Sequence, residues 1–190
     1  GIAVVSALPL PLLPLQILYL NLVTDVFPAF ALAMGEGEAG ILDRPPRDPK
    51  EPILGRRQWL LIVLHGCALT AGTVAALVAA RWLNLDARQS VTVTFLTLAF
   101  AQLWHAFNMR SARAGLLLNE ATRNVWLWAA VGLCAVLLAA PPYLPPAAHL
   151  LHLAPLTTAM WAAVLGCSLA PLVATQAIMA IVGWRNVTTR

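Results

Sequence analysis

Residues 12–34 read LLPLQILYLNLVTDVFPAFALAM, an apolar run of 23 residues broken by a single charge, Asp25. A helix rises about 1.5 Å per residue, so a run of this length covers the roughly 30 Å hydrocarbon core of a bilayer. An acidic side chain near the middle of such a span costs roughly 2.5–3.5 kcal/mol on insertion scales, and something must offset that cost. Asn21, Thr24 and Asp25 stand at i, i+3 and i+4, so all three project from one helical face. Pro28 carries no N–H, which removes the helical hydrogen bond to the carbonyl of Thr24. One face thus gathers an amide oxygen, a hydroxyl, a carboxylate and an unpaired carbonyl. These are hard oxygen donors, suited to Ca²⁺, Mg²⁺, Na⁺ or K⁺ rather than to soft metals. The plainer alternative is that Asp25 hydrogen-bonds to a neighbouring helix while Pro28 supplies a kink.

The rest of the chain repeats the apolar pattern. Of 190 residues, 60% are hydrophobic and 11% charged, with a mean hydropathy of +0.77. A soluble domain of that size needs far more polar surface. The charges cluster at 36–57, 81–88, 110–123 and 185–190, leaving long apolar tracts between them. The reading is an all-α, polytopic transmembrane helix bundle of about five spans, near 12–34, 58–82, 90–109, 124–140 and 156–184. Residues 1–8 read as the end of a preceding helix, with Pro9, Pro11 and Pro14 in the turn after it. Pro141, Pro142, Pro145 and Pro146 break the chain again before the last span. The sequence opens on Gly1 with no basic flank before its first apolar run, which suggests a start within a longer protein rather than a signal peptide.

Basic residues set the expected orientation. The segments 35–57, 110–123 and 185–190 share one side and hold Arg44, Arg47, Lys50, Arg56, Arg57, Arg110, Arg113, Arg123, Arg185 and Arg190. The other side holds Arg81 and Arg88. The positive-inside rule then places the loop 35–57 and the carboxy terminus in the cytoplasm of a multi-pass protein of the cell membrane. The same rule accounts for the net charge of +4, so no nucleic-acid partner is expected. Cys67, Cys134 and Cys167 lie inside apolar tracts without metal-type spacing and read as small packing residues.

Further polarity lies in the third tract. Gln102 and His105 share a helical face, with Asn108 further round. Gln102 suits either interhelical hydrogen bonding or direct ligation of a cation. His105 and His65 read as packing residues or as groups behind a ligand, and Thr70 and Thr73 as hydroxyls bonded back to their own helix.

Two motifs resemble a known family. Leu20-Asn21-Leu22-Val23-Thr24-Asp25, followed by Pro28-Ala29, looks like the sixth membrane helix of calcium-pump-like P-type ATPases. Leu42-Asp43-Arg44-Pro45-Pro46-Arg47, then Pro49-Lys50-Glu51-Pro52, resembles the cytoplasmic loop that follows that helix. The resemblance covers essentially the whole chain, though 124–190 matches by pattern more than by motif. It implies a carboxy-terminal membrane region of a cation pump, 1–190, with Asn21, Thr24 and Asp25 as cation ligands on a partly unwound helix. It also implies that the loop 43–52 lies beneath cytosolic domains and relays phosphorylation to the membrane; a proline-stiffened basic anchor is the other reading. Val26 departs from the glycine that often follows the Asp. Gln102 falls where two-site calcium pumps carry a Glu, which points to fewer bound ions, one per cycle, with Ca²⁺ favoured and Mg²⁺ or a monovalent ion as alternatives.

No Asp-Lys-Thr-Gly, Thr-Gly-Glu or Walker-type motif occurs in the 190 residues. ATP and Mg²⁺ are therefore expected only in a full-length enzyme, whose earlier helices and cytosolic domains, with the lipid bilayer, are the expected partners. A secondary transporter, a channel subunit or a non-catalytic membrane scaffold are the competing functional classes.

Overall fold

The computed structural model describes residues 12–34, 55–105 and 124–181. Its helices are α1 (Pro14–Ala33), α2 (Arg56–Trp82), α3 (Ala87–His105), α4 (Val125–Ala139), the short α5 (Pro145–Leu150) and α6 (Thr158–Ile181), with a 3₁₀ turn at Pro141–Tyr143. The expected loop motif 43–52, Asn108 and the segment 1–8 lie outside the described residues. Pro14, expected in a turn, opens α1 instead, where a fixed φ and a missing N–H cost a helix nothing. The four prolines at 141–146 do break the chain, yet they also begin two short helical pieces.

Local chemistry writes the turn between α2 and α3. Asn84 takes a left-handed conformation at φ 52, and Leu85 N–H donates to the carbonyl of Ala80 at 3.0 Å, closing the end of α2. Two residues later Asp86 and Gln89 cap α3 reciprocally. The Asp86 carboxylate accepts from Gln89 N–H at 2.8 Å, and the Gln89 side-chain oxygen accepts from Asp86 N–H at 3.1 Å. The end of α5 repeats the first device, with His152 at φ 52 and Leu153 N–H donating to Ala148 O at 2.8 Å.

Among the described residues, four helices are long and apolar enough to cross a membrane, over Pro14–Ala31, Gln58–Trp82, Val125–Tyr143 (which runs on into the 3₁₀ turn) and Thr158–Ile178. The remaining long helix, α3, has no comparably apolar window and is the most buried of the set. Thr92, Thr94 and Thr97 are buried in it, together with Val93, Phe95, Leu96, Ala99 and Leu103. It packs against α1, α2, α4 and α6. A helix walled in by others need not dissolve in lipid, so its hydroxyls are tolerated once paired. Thr92 and Thr94 bond back to Arg88 O and Ser90 O at 2.8 Å each, whereas the buried Thr97 hydroxyl has no hydrogen-bond partner. Its 19 residues span about 28 Å, enough to cross beside its neighbours.

Cross-helix contacts give the directions. Tyr19 meets Leu137 and Ala31 meets Asn124, so α1 and α4 run antiparallel. Phe100 meets Trp161 and Trp104 meets Ser168, so α3 and α6 run parallel. The core therefore consists of two parts: α1 with α4, and α2 with α6, both closed onto α3.

Candidate functional site

The face of α1 that carries Asn21, Thr24 and Asp25 lies in mid-helix and is split by its own geometry. Positions i+3 and i+4 are about 100° apart around the axis, so a stripe containing both is wide. Thr24, at one edge, is buried against α3; Asn21 and Asp25, toward the other, are exposed on a side of the chain that no described helix covers.

At the buried edge the structure brings together residues far apart in sequence. Thr24 Oγ1 lies 3.2 Å from Gln102 Oε1 of α3 and 3.4 Å from Asp25 Oδ1. Its shortest hydrogen bond goes to the carbonyl of Leu20, at 2.9 Å. A hydroxyl has one proton for these three acceptors. With that proton on Leu20 O, the Thr24 oxygen stands between the Gln102 and Asp25 oxygens as a third acceptor. Neighbouring ligands around a cation bound at about 2.4 Å stand roughly 3.1–3.6 Å apart, so these spacings suit a shared ion. Of the expected ligands, Thr24, Asp25 and Gln102 come together, whereas Asn21 sits one turn away on the uncovered side.

Pro28 is buried within α1, and its missing N–H leaves the Thr24 carbonyl without a helical donor. The helix nonetheless runs unbroken from Pro14 to Ala33. The partial unwinding that the family resemblance implied is therefore absent here: losing one bond does not open a helix whose flanking turns are held. Those turns are held by Cys134, read from sequence only as a small packing residue, and by Asn124 and Gln16, whose contacts across the bundle the sequence did not mark. The Cys134 thiol donates to Val23 O at 3.2 Å, and Asn124 Nδ2 donates to Ala31 O at 2.8 Å. Near the helix start, fully buried Gln16 donates to Leu151 O at 2.8 Å and accepts from Leu13 N–H at 3.0 Å. Only Asn124 carried a signal: an Asn immediately before an apolar run is a helix N-cap, and it does accept from Trp126 and Leu127 N–H at 2.9 and 3.2 Å. That it also reaches α1 is a tertiary fact.

His65 and His105, read separately in sequence, form a pair, with ring centroids 4.6 Å apart at 53°. Thr70 and Thr73 bond back to Gly66 O and Leu69 O at 2.8 Å each, as expected. Among the described residues no group of three or more His, Cys, Asp or Glu could hold a metal ion, so any cation here would rest on amide and hydroxyl oxygens around one carboxylate.

A membrane-crossing helical bundle with a seam of oxygen donors at mid-depth defines the class: a polytopic membrane protein. Its family is also shown. Residues 9–181 match the family described as Cation transporting ATPase, C-terminus, and the chain belongs to that family. It is similar to the Calcium-transporting ATPase of Bacillus subtilis (strain 168), at 36% identity over 170 residues covering 89% of this chain and 19% of the relative. The chain thus spans about a fifth of the length of that curated relative.

Proposed function

We propose that this chain forms part of the cation path of an ATP-driven pump, with Thr24, Asp25 and Gln102 as direct ligands and Asn21 completing the site from the next turn. The observation that carries this reading is the approach of the Thr24 oxygen to the Gln102 and Asp25 oxygens, at 3.2 and 3.4 Å. Ca²⁺ is the favoured substrate, supported by the name of the similar Bacillus protein and by the hard oxygen donors. Calcium takes six to eight oxygens, more than this cluster supplies, so further ligands come from other helices of the intact pump, docked over the uncovered face of Asn21 and Asp25. Gln102 donates an oxygen without a compensating charge, which favours one ion per cycle. The carboxy terminus and the loop 35–57 lie in the cytoplasm, where the loop relays phosphorylation of cytosolic domains to α1. Cation binding from the cytoplasm and release on the far side then follow from movement of α1 against α3.

In the intact pump, Asp25→Asn should abolish cation-stimulated phosphorylation by ATP, and the ion that stimulates the wild type identifies the substrate. Retention of full phosphorylation in Asp25→Asn would remove the site assignment and favour a scaffold role.

A further inference from the structure

A groove opens on the surface of the bundle between α1, α4 and the short α5. Leu15, Leu18 and Leu22 of α1 form one wall and Val136 and Ala140 of α4 the other, while Leu150 of α5 stands at the outer end. On its floor the Tyr19 hydroxyl donates to Leu137 O, so the polar atoms there are paired, and the surface left open is wholly apolar. The prolines at 141–146 end α4 and begin α5, which adds a third wall where two straight helices would leave a shallow seam. The cavity measures about 440 Å³.

Length and volume discriminate among occupants. The groove follows α1 from Leu15 to Leu22, about 10 Å of rise, inside the apolar span Pro14–Ala31. It runs from one face of the bilayer to mid-depth and stops there. Beyond Leu22 the two helices close on each other, where the Cys134 thiol reaches Val23 O and Asn124 reaches Ala31 O. A transmembrane helix is about 10 Å across, and half a span of it fills on the order of 1,000 Å³, well over the volume of the cavity. It would also have to continue past the point where the groove is shut. An acyl chain of one leaflet, by contrast, ends at mid-depth. A methylene is close in size to a water molecule, whose share of liquid volume is about 30 Å³, so the cavity takes about fifteen of them, an ordinary fatty acyl chain. Arg88 supplies a partner for the headgroup. It is exposed at the same end of the bundle, and its guanidinium donates to Ala148 O of α5 at 3.3 Å. A guanidinium has further N–H donors, and those suit a phosphate.

We propose that this groove holds one acyl chain of a phospholipid from the leaflet at the start of α1, as a lasting part of the bundle, with the phosphate drawn to Arg88. The chain braces the first half of α1, and its end lies against Leu22, three residues before Asp25. Expulsion of water cannot hold it, because the surrounding bilayer is hydrocarbon too. Close packing against walls already in place, together with the headgroup anchor, does.

The site rests on the membrane-spanning bundle and not on the pump reading. The intact pump is reconstituted in phosphatidylcholine vesicles that include a small share of phosphatidylcholine carrying a diazirine on one acyl chain, transferred to detergent and then illuminated. Lipid adducts should persist on the peptides containing Leu15–Leu22 and Val136–Ala140, and be lost from the other peptides labelled in vesicles, that of exposed Val173 on α6 among them. Ala140→Phe puts a ring into the groove and should abolish the retained adducts while labelling at Val173 in vesicles stays. Should that variant not fold, the wild-type contrast alone decides. Equal loss from every peptide would reduce the groove to ordinary boundary lipid and overturn the proposal. So would retained adducts undiminished in a folded Ala140→Phe pump. Labelling at Val173 in vesicles with none along Leu15–Leu22 would place another segment of the pump in the groove, and would overturn it as well. An active Asp25→Asn pump would sink the transport assignment and leave the adduct pattern unchanged.

Discussion

The two helix pairs that close onto α3 are held by different chemistry. Between α1 and α4 the contacts are directional: Tyr19 OH donates to Leu137 O at 2.6 Å, Cys134 to Val23 O and Asn124 to Ala31 O. Each joins a side chain on one helix to a carbonyl on the other, at intervals along the whole of α1. Between α2 and α6 the contact is steric. A Cβ at Gly72 would stand 2.6 Å from Pro171 Cγ and 2.7 Å from Cys167 O, and Ala76 and Ala80 are fully buried on the same helix. Helices in lipid gain nothing from expelling water from each other, so close approach of small residues and interhelical hydrogen bonds are what hold them. Here the two means are divided between the two sides. The hydrogen-bonded side carries the ligand helix, where Pro28 has already removed one backbone bond and the flanking carbonyls need fixed positions.

This contrast can be tested from its strongest element down. Gly72→Leu should be the most damaging single change: with Pro171 and the Cys167 backbone in place, α2 and α6 must part, at a cost of about 1–3 kcal/mol or more. A large drop in the midpoint of thermal unfolding in detergent would confirm it, and an unchanged midpoint would show that the pair is not tightly packed. Asn124→Ala loses both a helix cap and the bond to Ala31 and should cost about 1–2 kcal/mol. Asn124→Asp separates the two roles, since a carboxylate still accepts from Trp126 and Leu127 N–H but cannot donate to Ala31 O; it should recover part of the loss. Tyr19→Phe should cost about 0.6 kcal/mol, the average for such bonds in a membrane bundle. Cys134→Ala should be smallest, because a thiol is a weak donor, and Cys134→Ser should match the wild type. If Cys134→Ala exceeded Asn124→Ala in the same unfolding assay, the ladder would not be ranked by donor strength.

Much of this was legible in the chain. The apolar tracts at 12–34, 58–82, 124–140 and 156–184 pointed to helices, because lipid-facing segments must be apolar almost all round, and helices lie at Pro14–Ala33, Arg56–Trp82, Val125–Ala139 and Thr158–Ile181. The cap pair Asp86 and Gln89 could be read as a helix start, since its chemistry is local. The third helix was harder. Its threonines and glutamines deny it the long apolar window that the other four carry, and only its burial among them shows why it belongs there. Of the candidate site, the i, i+3, i+4 spacing in α1 fixed which residues share a face but not which edge of that face is covered. That Thr24 turns inward while Asn21 and Asp25 face out depends on where α3 lies.

The order of apolar runs, the oxygen-bearing stripe around Asp25 and the proline beneath it follow from the amino acids alone, because bilayer thickness and helical periodicity act on neighbours in the chain. The meeting of Thr24 with Gln102, the pairing of His65 with His105, and the hold of Asn124 and Cys134 on α1 were decided only by the packed bundle. Those contacts join positions dozens of residues apart, and helix periodicity says which face a residue occupies without saying which helix that face will meet.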